Sequence, residues 1–189
     1  MEKLYLIDFD GTITSKDSFI LFTFFSRPFY LWLIYWISTC ALFFFISKGK
    51  LKERFFRDFK EVDLFSFQFI CNQFVKYKLN KIIKESFKDF ISTLDSNSEI
   101  VIVSASISNY LKPWCESMGF KLISTELEVI SEKLTGKFST KNCNGQEKVI
   151  RILENYDLTK YKEIHVFGNS DGDLQMLELG SHKYYNFFN

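Results

Sequence analysis

The chain has 189 residues, with 24 basic against 23 acidic side chains and a net charge of +1. That length suits one compact domain with a modest insertion, and the charge balance argues against a general nucleic-acid binder. The four cysteines (Cys40, Cys71, Cys115, Cys143) have neither paired metal spacing nor the density of a disulfide framework, and with only two histidines, His165 and His182, a zinc site is not expected.

The first predicted element is the strand Lys3–Ile7, whose apolar run Leu4-Tyr5-Leu6-Ile7 reads as buried. It leads directly into Asp8-Phe9-Asp10-Gly11-Thr12. Side chains two apart on an extended chain point the same way, so Asp8 and Asp10 leave the strand end as a pair of carboxylates. Two crowded acids repel and need a cation or a shared proton. Gly11 permits a sharp turn, and Thr12 places a hydroxyl close to the same spot.

Residues 15–98 are helical in pattern, and most of the aromatic excess (Phe 23, Tyr 9, Trp 3) falls before residue 80. Lys50–Lys60 and Phe65–Leu94 are amphipathic, with their phenylalanines expected to pack inward. The run Pro28–Ile46 carries no charged side chain. As a helix at ~1.5 Å per residue it would extend roughly 28 Å, close to the hydrocarbon thickness of a bilayer. It is not a cleavable leader, because cleavage after it would remove Asp8 and Asp10. A single pass would put Asp8 on the opposite side of the membrane from Ser104 and Lys148. Two arrangements remain. One is a hairpin or re-entrant anchor formed with Ser18–Ser26, broken at Arg27-Pro28, with the basic cluster Lys48, Lys50, Lys52 and Arg54 on the cytoplasmic face. The other is a buried helix, and the length and aromatic content of the run favour the membrane.

Glu99–Val103 is a second strand ending in Ser104-Ala105-Ser106, followed by a helix over Ser106–Met118 that Gly119 stops. Ile123–Ile130 and Lys133–Phe138 read as a hairpin. The turn Asn142-Cys143-Asn144-Gly145 precedes Lys148 and a helix over Gln146–Tyr156. A third strand, Glu163–Phe167, takes in His165 as a core or near-core residue and runs into Gly168-Asn169-Ser170-Asp171-Gly172-Asp173. A helix over Asp171–Leu179 and a short strand at Lys183–Tyr185 close the pattern. Strands alternating with helices predict a parallel α/β sheet with its ligands at the carboxyl ends of the strands.

Asp-x-Asp-Gly-Thr, a strand-end Ser, a Lys and Gly-Asn-Ser-x-x-Asp, in this order and across nearly the whole chain, resemble the haloacid dehalogenase (HAD) superfamily of phosphatases. The resemblance extends to its subfamily IB, which includes phosphoserine phosphatases and membrane-associated phosphatidylglycerophosphate phosphatases. It implies a HAD-like Rossmannoid parallel sheet built from residues 1–14 and 99–189. A helical cap at 15–98, containing the apolar segment 28–46, would be inserted after the first strand. It also implies that Asp8 is the nucleophile and that Asp10 is general acid and then general base. Thr12, Ser104, Ala105 and Lys148 would hold the phosphoryl group. Mg²⁺ would lie among Asp8, the backbone carbonyl of Asp10, Asn169 and Asp173.

The chain departs from the family at Asn169, where an Asp is usual. An amide oxygen still binds Mg²⁺ but brings no charge. Asp173 matches the family's second acid, and Asp171 is an additional one. Asp17 lies where phosphoserine phosphatases carry a Glu that grips the substrate amine, and it reads equally as a helix N-terminal acid.

The expected activity is Mg²⁺-dependent phosphomonoester hydrolysis through an aspartyl-phosphate. The expected substrate is a lipid phosphate such as phosphatidylglycerophosphate, at the cytoplasmic face of the membrane. The alternatives are a cytoplasmic phosphatase of phosphoserine or another small metabolite, and a weakly catalytic phosphate-binding membrane protein. Oligomeric state is not specified by these patterns.

Overall fold

Leu4 and Leu6 are buried in one hydrophobic cluster, and Tyr5 and Ile7 in another, so β1 (Lys3–Ile7) is covered on both faces. That is the environment of a central parallel strand. The computed structural model describes residues 3–30, 33–34, 37, 48–95 and 97–188. In it β1 lies between β2 (Ser98–Ile107) and β6 (Glu163–Gly168), with β3 (Lys121–Thr125) beyond β2 and β7 (His182–Tyr185) beyond β6. All five strands run parallel in the order β3-β2-β1-β6-β7. The chain leaves β1 for β2 on one side and later takes up β6 on the other. A crevice therefore opens at the carboxyl end of β1, where Asp8 follows.

Between β1 and β2 come α1 (Ser18–Phe25), α2 (Lys48–Phe56), α3 (Leu64–Tyr77) and α4 (Glu85–Ser92). Phe19 and Phe22 of α1, Phe55 and Phe56 of α2, Phe59, and Phe67 and Phe74 of α3 form one ring cluster. Tyr110 of α5 (Ser108–Met118) closes it from the sheet side. These rings account for much of the aromatic excess as buried packing.

The insertion rejoins the sheet earlier than the composition indicates. Thr14 bridges Ile83, Ser15 N–H donates to the Ile82 carbonyl (2.7 Å), and Lys84 N–H donates to that of Ile13 (2.9 Å). Past this seam α4 already packs on the sheet layer, with Phe90 against Phe167 and Phe188 and Phe87 against Phe120.

The expected hairpin is divided. Lys121–Thr125 pairs with β2, and only β4 (Leu127–Ile130) pairs antiparallel with β5 (Lys133–Phe138). Glu126 marks the break, its N–H donating to Thr140 Oγ1 (3.0 Å) rather than to a strand. The hairpin then binds the insertion, exchanging backbone bonds between Leu134 and both Glu61 and Val62. Strand β2 continues through Ser104-Ala105-Ser106, where a helix start was expected, because these serines bond to each other and to Asp10 instead of capping a helix. Gly119, at φ +72°, ends α5 in the left-handed conformation.

α6 covers Gln146–Asn155. The expected helix at Asp171–Leu179 is one 3₁₀ turn, Asp171–Asp173, followed by α7 (Leu174–Leu177). Cys71, Cys115 and Cys143 are buried free thiols.

Of the apolar run Pro28–Ile46, residues 31, 32, 35, 36 and 38–46 lie outside the described residues. Phe29, Tyr30, Leu33, Ile34 and Ile37 are described and are exposed. No helix among the described residues is long and apolar enough to cross a membrane.

Candidate active site

β1 carries Asp8 into the crevice, and its position is fixed by bonds to both oxygens. Thr12 Oγ1 donates to Oδ2 (2.8 Å), and Lys148 Nζ donates to Oδ1 (2.6 Å). Lys148 comes from the first turn of α6 and is 1 % exposed. Its ammonium also lies 2.7 Å from Asp173 Oδ1. Burial opposes the charge on Lys148, but Asp8 and Asp173 outweigh it and hold its pKa above the ordinary value. Burial likewise opposes the Asp173 carboxylate, and Lys148 outweighs it, so its pKa is lowered. For Asp8 burial wins against Lys148, and its carboxyl is pushed up to about 6.

The turn after Asp8 depends on a glycine. Gly11 has φ +80°, and a Cβ there would lie 2.2 Å from Asn169 Nδ2. The chain thus brings the loop after β6 against the loop after β1. Asp10 is held by Ser18 N–H at Oδ1 (2.7 Å) and by the Ser106 hydroxyl at Oδ2 (2.6 Å).

Asp173 Oδ2 accepts from Asn169 N–H, Ser170 N–H and Ser170 Oγ at 3.1, 3.0 and 2.8 Å. Both of its oxygens are therefore occupied in positioning Lys148 and the loop. Asn169 Oδ1, in contrast, is buried and has no hydrogen-bond partner. It stands beside the cavity-lining Asp8 and Asp10, and with the Asp8 carboxylate and the Asp10 backbone carbonyl it would make an all-oxygen donor set, the ligand chemistry of Mg²⁺.

A cavity of about 220 Å³ opens over these groups, lined by Asp8, Asp10, Ser104, Ala105, Asn169 and Asp173, among others. Thr12 and Lys148 do not line it and stand behind Asp8. Asp17 does line it while capping α1, its Oδ1 accepting from Ile20 N–H (2.9 Å).

Four lining residues were not singled out as site residues from sequence: Lys52, Asn142, Asn144 and Ser170. Lys52 reaches in from α2, donating to the Ala105 carbonyl (3.2 Å) with its ammonium 5.2 Å from the Phe19 ring. Its neighbours Lys50 and Arg54 made it look like part of a surface cluster. The two asparagines flank Cys143 in a segment that read only as a turn. Ser106, also outside the expected set, holds Asp10.

Residues 5–178 match the family of haloacid dehalogenase-like hydrolases. Protein CicA of Caulobacter vibrioides is 27 % identical over 192 residues, covering 98 % of this chain and 86 % of that protein. Among solved structures, a protein of unknown function from Bordetella pertussis Tohama I has a TM-score of 0.84 at 17 % identity, over 96 % of this chain and 88 % of that one. A phospho-aspartyl intermediate analogue of phosphoserine phosphatase has a TM-score of 0.57 at 16 % identity, over 95 % and 83 % of the two chains.

Proposed function

Since the chain belongs to the haloacid dehalogenase-like hydrolase family, we propose that it hydrolyses phosphomonoesters through an aspartyl-phosphate on Asp8. The observation that carries this reading is the pair Asp8 and Asp10 at one strand end, with Lys148 bonded to Asp8. The Asp8 carboxylate attacks phosphorus, and the bond from phosphorus to the ester oxygen breaks. Asp10 acts as the general acid that gives a proton to the departing alkoxide. It then takes a proton from water, which attacks the same phosphorus and breaks the bond to Asp8, releasing phosphate. Ser104 and the strand-end backbone bind the phosphoryl oxygens, while Lys148 offsets the negative charge around Asp8. The Asp8 carboxylate, the Asp10 backbone carbonyl and Asn169 would hold Mg²⁺, which when bound supplies positive charge facing the phosphoryl oxygens.

For the leaving group the better-supported reading is a small polar metabolite, phosphoserine or a similar compound. The chamber above Asp8 presents Asp17, Lys52, Asn142 and Asn144, side chains that suit a compact, charged or hydroxylated group. The likeness to a phosphoserine phosphatase structure points the same way. A second reading, a lipid phosphate taken at the cytoplasmic face of a membrane, rests on the exposed Phe24, Phe29, Tyr30, Ile34 and Ile37.

Phosphate release measured with and without Mg²⁺, across amino-acid phosphates, other small phosphomonoesters and lipid phosphates in detergent, tests both readings. Turnover of small esters that Asp8→Asn removes supports the first, and turnover confined to lipid phosphates supports the second. No turnover of any ester overturns the catalytic reading and leaves a phosphate-binding protein.

A further inference from the structure

The two histidines of this chain are seventeen positions apart in sequence, but the parallel register of β6 and β7 sets His165 directly opposite His182. We propose that Glu163, His165 and His182 form a second metal site, for a borderline divalent cation such as Zn²⁺, that ties the edge strand β7 to β6. This inference is independent of the catalytic reading.

The three side chains project from the same face of the sheet, since residues two apart on a strand share a face. One ligand atom from each lies within 4.8 Å of the other two. His165 Nε2 is 3.0 Å from Glu163 Oε2. Two ligands bound to one zinc ion at ~2.1 Å each, at near-tetrahedral or right angles, stand roughly 3.0–3.4 Å apart. That pair already has chelating separation. The His182 ring stacks on His165 with centroids 4.5 Å apart. His182 is exposed on the edge strand, so its ring has room to turn toward the shared position.

His165 is also braced as a metal-binding histidine is braced. Its Nδ1 lies 3.2 Å from the Tyr184 hydroxyl, and its ring stacks on Tyr5 at 4.7 Å. With Nδ1–H donating to Tyr184, the lone pair of Nε2 faces the Glu163 carboxylate, and a cation between them satisfies both. The resident cation near Glu163 is Lys3, whose Nζ is 3.5 Å from Oε2 at a partly exposed position, and a divalent ion competes with it. Imidazole nitrogens favour zinc-like metals over Mg²⁺. The site is separate from the all-oxygen set at Asn169, which lies about 13 Å further along the chain at ~3.3 Å per strand residue.

The test uses the untagged full chain, stripped with EDTA and titrated with Zn²⁺ alone, with the imidazole ¹⁵N resonances followed by NMR. Zinc at the catalytic carboxylates leaves those resonances in place, so the readout belongs to this site. The expected result is that a ring nitrogen of His165 and one of His182 shift together, saturating at one equivalent. Tyr184→Phe, which keeps the aromatic packing, should weaken binding about tenfold or more, as loss of a supporting hydrogen bond usually does. His182→Asn should remove the His165 shift at the same zinc concentration while leaving Mg²⁺-dependent aryl-phosphate turnover unchanged. A His165 ring that does not respond, a shift of His182 alone, or equal zinc affinity in His182→Asn would overturn the proposal.

Discussion

Ser106 Oγ donates a 2.6 Å hydrogen bond to Asp10 Oδ2, joining the end of β2 to the loop that follows β1. Behind it Ser18 Oγ lies 3.2 Å from both Ser106 Oγ and Tyr110 OH. Burial raises the Tyr110 phenol well above its ordinary pKa, so the last member of this relay stays neutral. The carboxyl that must give and then take a proton is therefore held from a buried row of hydroxyls.

Removing that support should impair turnover more than binding. A hydrogen bond to a charged group contributes ~1.5–3 kcal/mol, so Ser106→Ala should lower kcat about tenfold or more, with KM little changed, and should move the pH profile. Asp10→Asn should cost ~10²–10⁴-fold, the usual span for general acid–base catalysis. Steady-state kinetics across pH check both; an unaltered profile in Ser106→Ala would show that the relay only packs.

Asp8→Asn should abolish phosphate release, because an amide is no nucleophile toward phosphorus. The same substitution should change how the stability of the metal-free fold depends on pH. Burial holds Asp8 at about 6 against an ordinary 3.8, so between these values the folded chain binds more protons than the unfolded one. Wild-type stability therefore falls relative to Asp8→Asn as pH rises from the ordinary carboxylate range through about 6. Denaturant melts in EDTA at pH 5 and pH 8 measure it. A wild type that gains stability relative to the variant between pH 5 and pH 8 would contradict the burial argument.

At the loop after β6, Asn169 and Asp173 should behave differently. Asn169→Asp supplies a charged oxygen in place of the unpaired amide Oδ1 and should tighten Mg²⁺ binding in calorimetry. Asp173→Ala strips Lys148 of one partner and three donors of their acceptor. Breaking a buried ion pair from one side costs ~3–5 kcal/mol, so this variant should melt early with or without Mg²⁺. A stable Asp173→Ala that has lost only metal affinity would make Asp173 a ligand rather than a brace.

The lipid reading of the substrate has its own test. Ile34 and Ile37 are exposed, so replacing both with Lys should leave the fold intact. A charge deep in the bilayer costs ~2.5–3.5 kcal/mol on insertion scales, so a membrane-seated chain should lose its sedimentation with zwitterionic vesicles, which do not attract the added lysines. Equal sedimentation of the variant and the parent removes the basis of that reading.

How much of this could be read from the chain depended on distance along it. β1 and the Asp8–Asp10 pair are local: a buried strand with two acids two apart defines its own geometry. Lys52 is not local, because its ammonium reaches the Ala105 carbonyl only when α2 folds back over the end of β2. Ser106 read as a helix start, since a serine before a helical pattern usually caps it; its partner Asp10 lies 96 residues away. The break at Glu126 is not legible in the sequence, because β3 and β4 are both β-rich and periodicity does not reveal which sheet a strand joins. The histidines showed no metal spacing along the chain, and only the pairing of β6 with β7 brings them together.

The seam at Thr14 and Ile83 bears on how this chain can change over generations. Everything from α1 to α3 departs and returns through two neighbouring backbone segments, while β1 and β2 pair from Lys3↔Ser98 to Ile7↔Ile102 without involving it. Recombination at the seam can exchange the roof above Asp8 and leave the floor in register. A graft must still meet the hairpin at Leu134, and two side-chain obligations travel with it. Lys84, at the seam, anchors the Gly11 carbonyl through Nζ at 2.8 Å, and Ser18, the first residue of α1, holds Asp10. A chimera that keeps those two residues inherits the phosphoryl chemistry and is free to acquire a different leaving group.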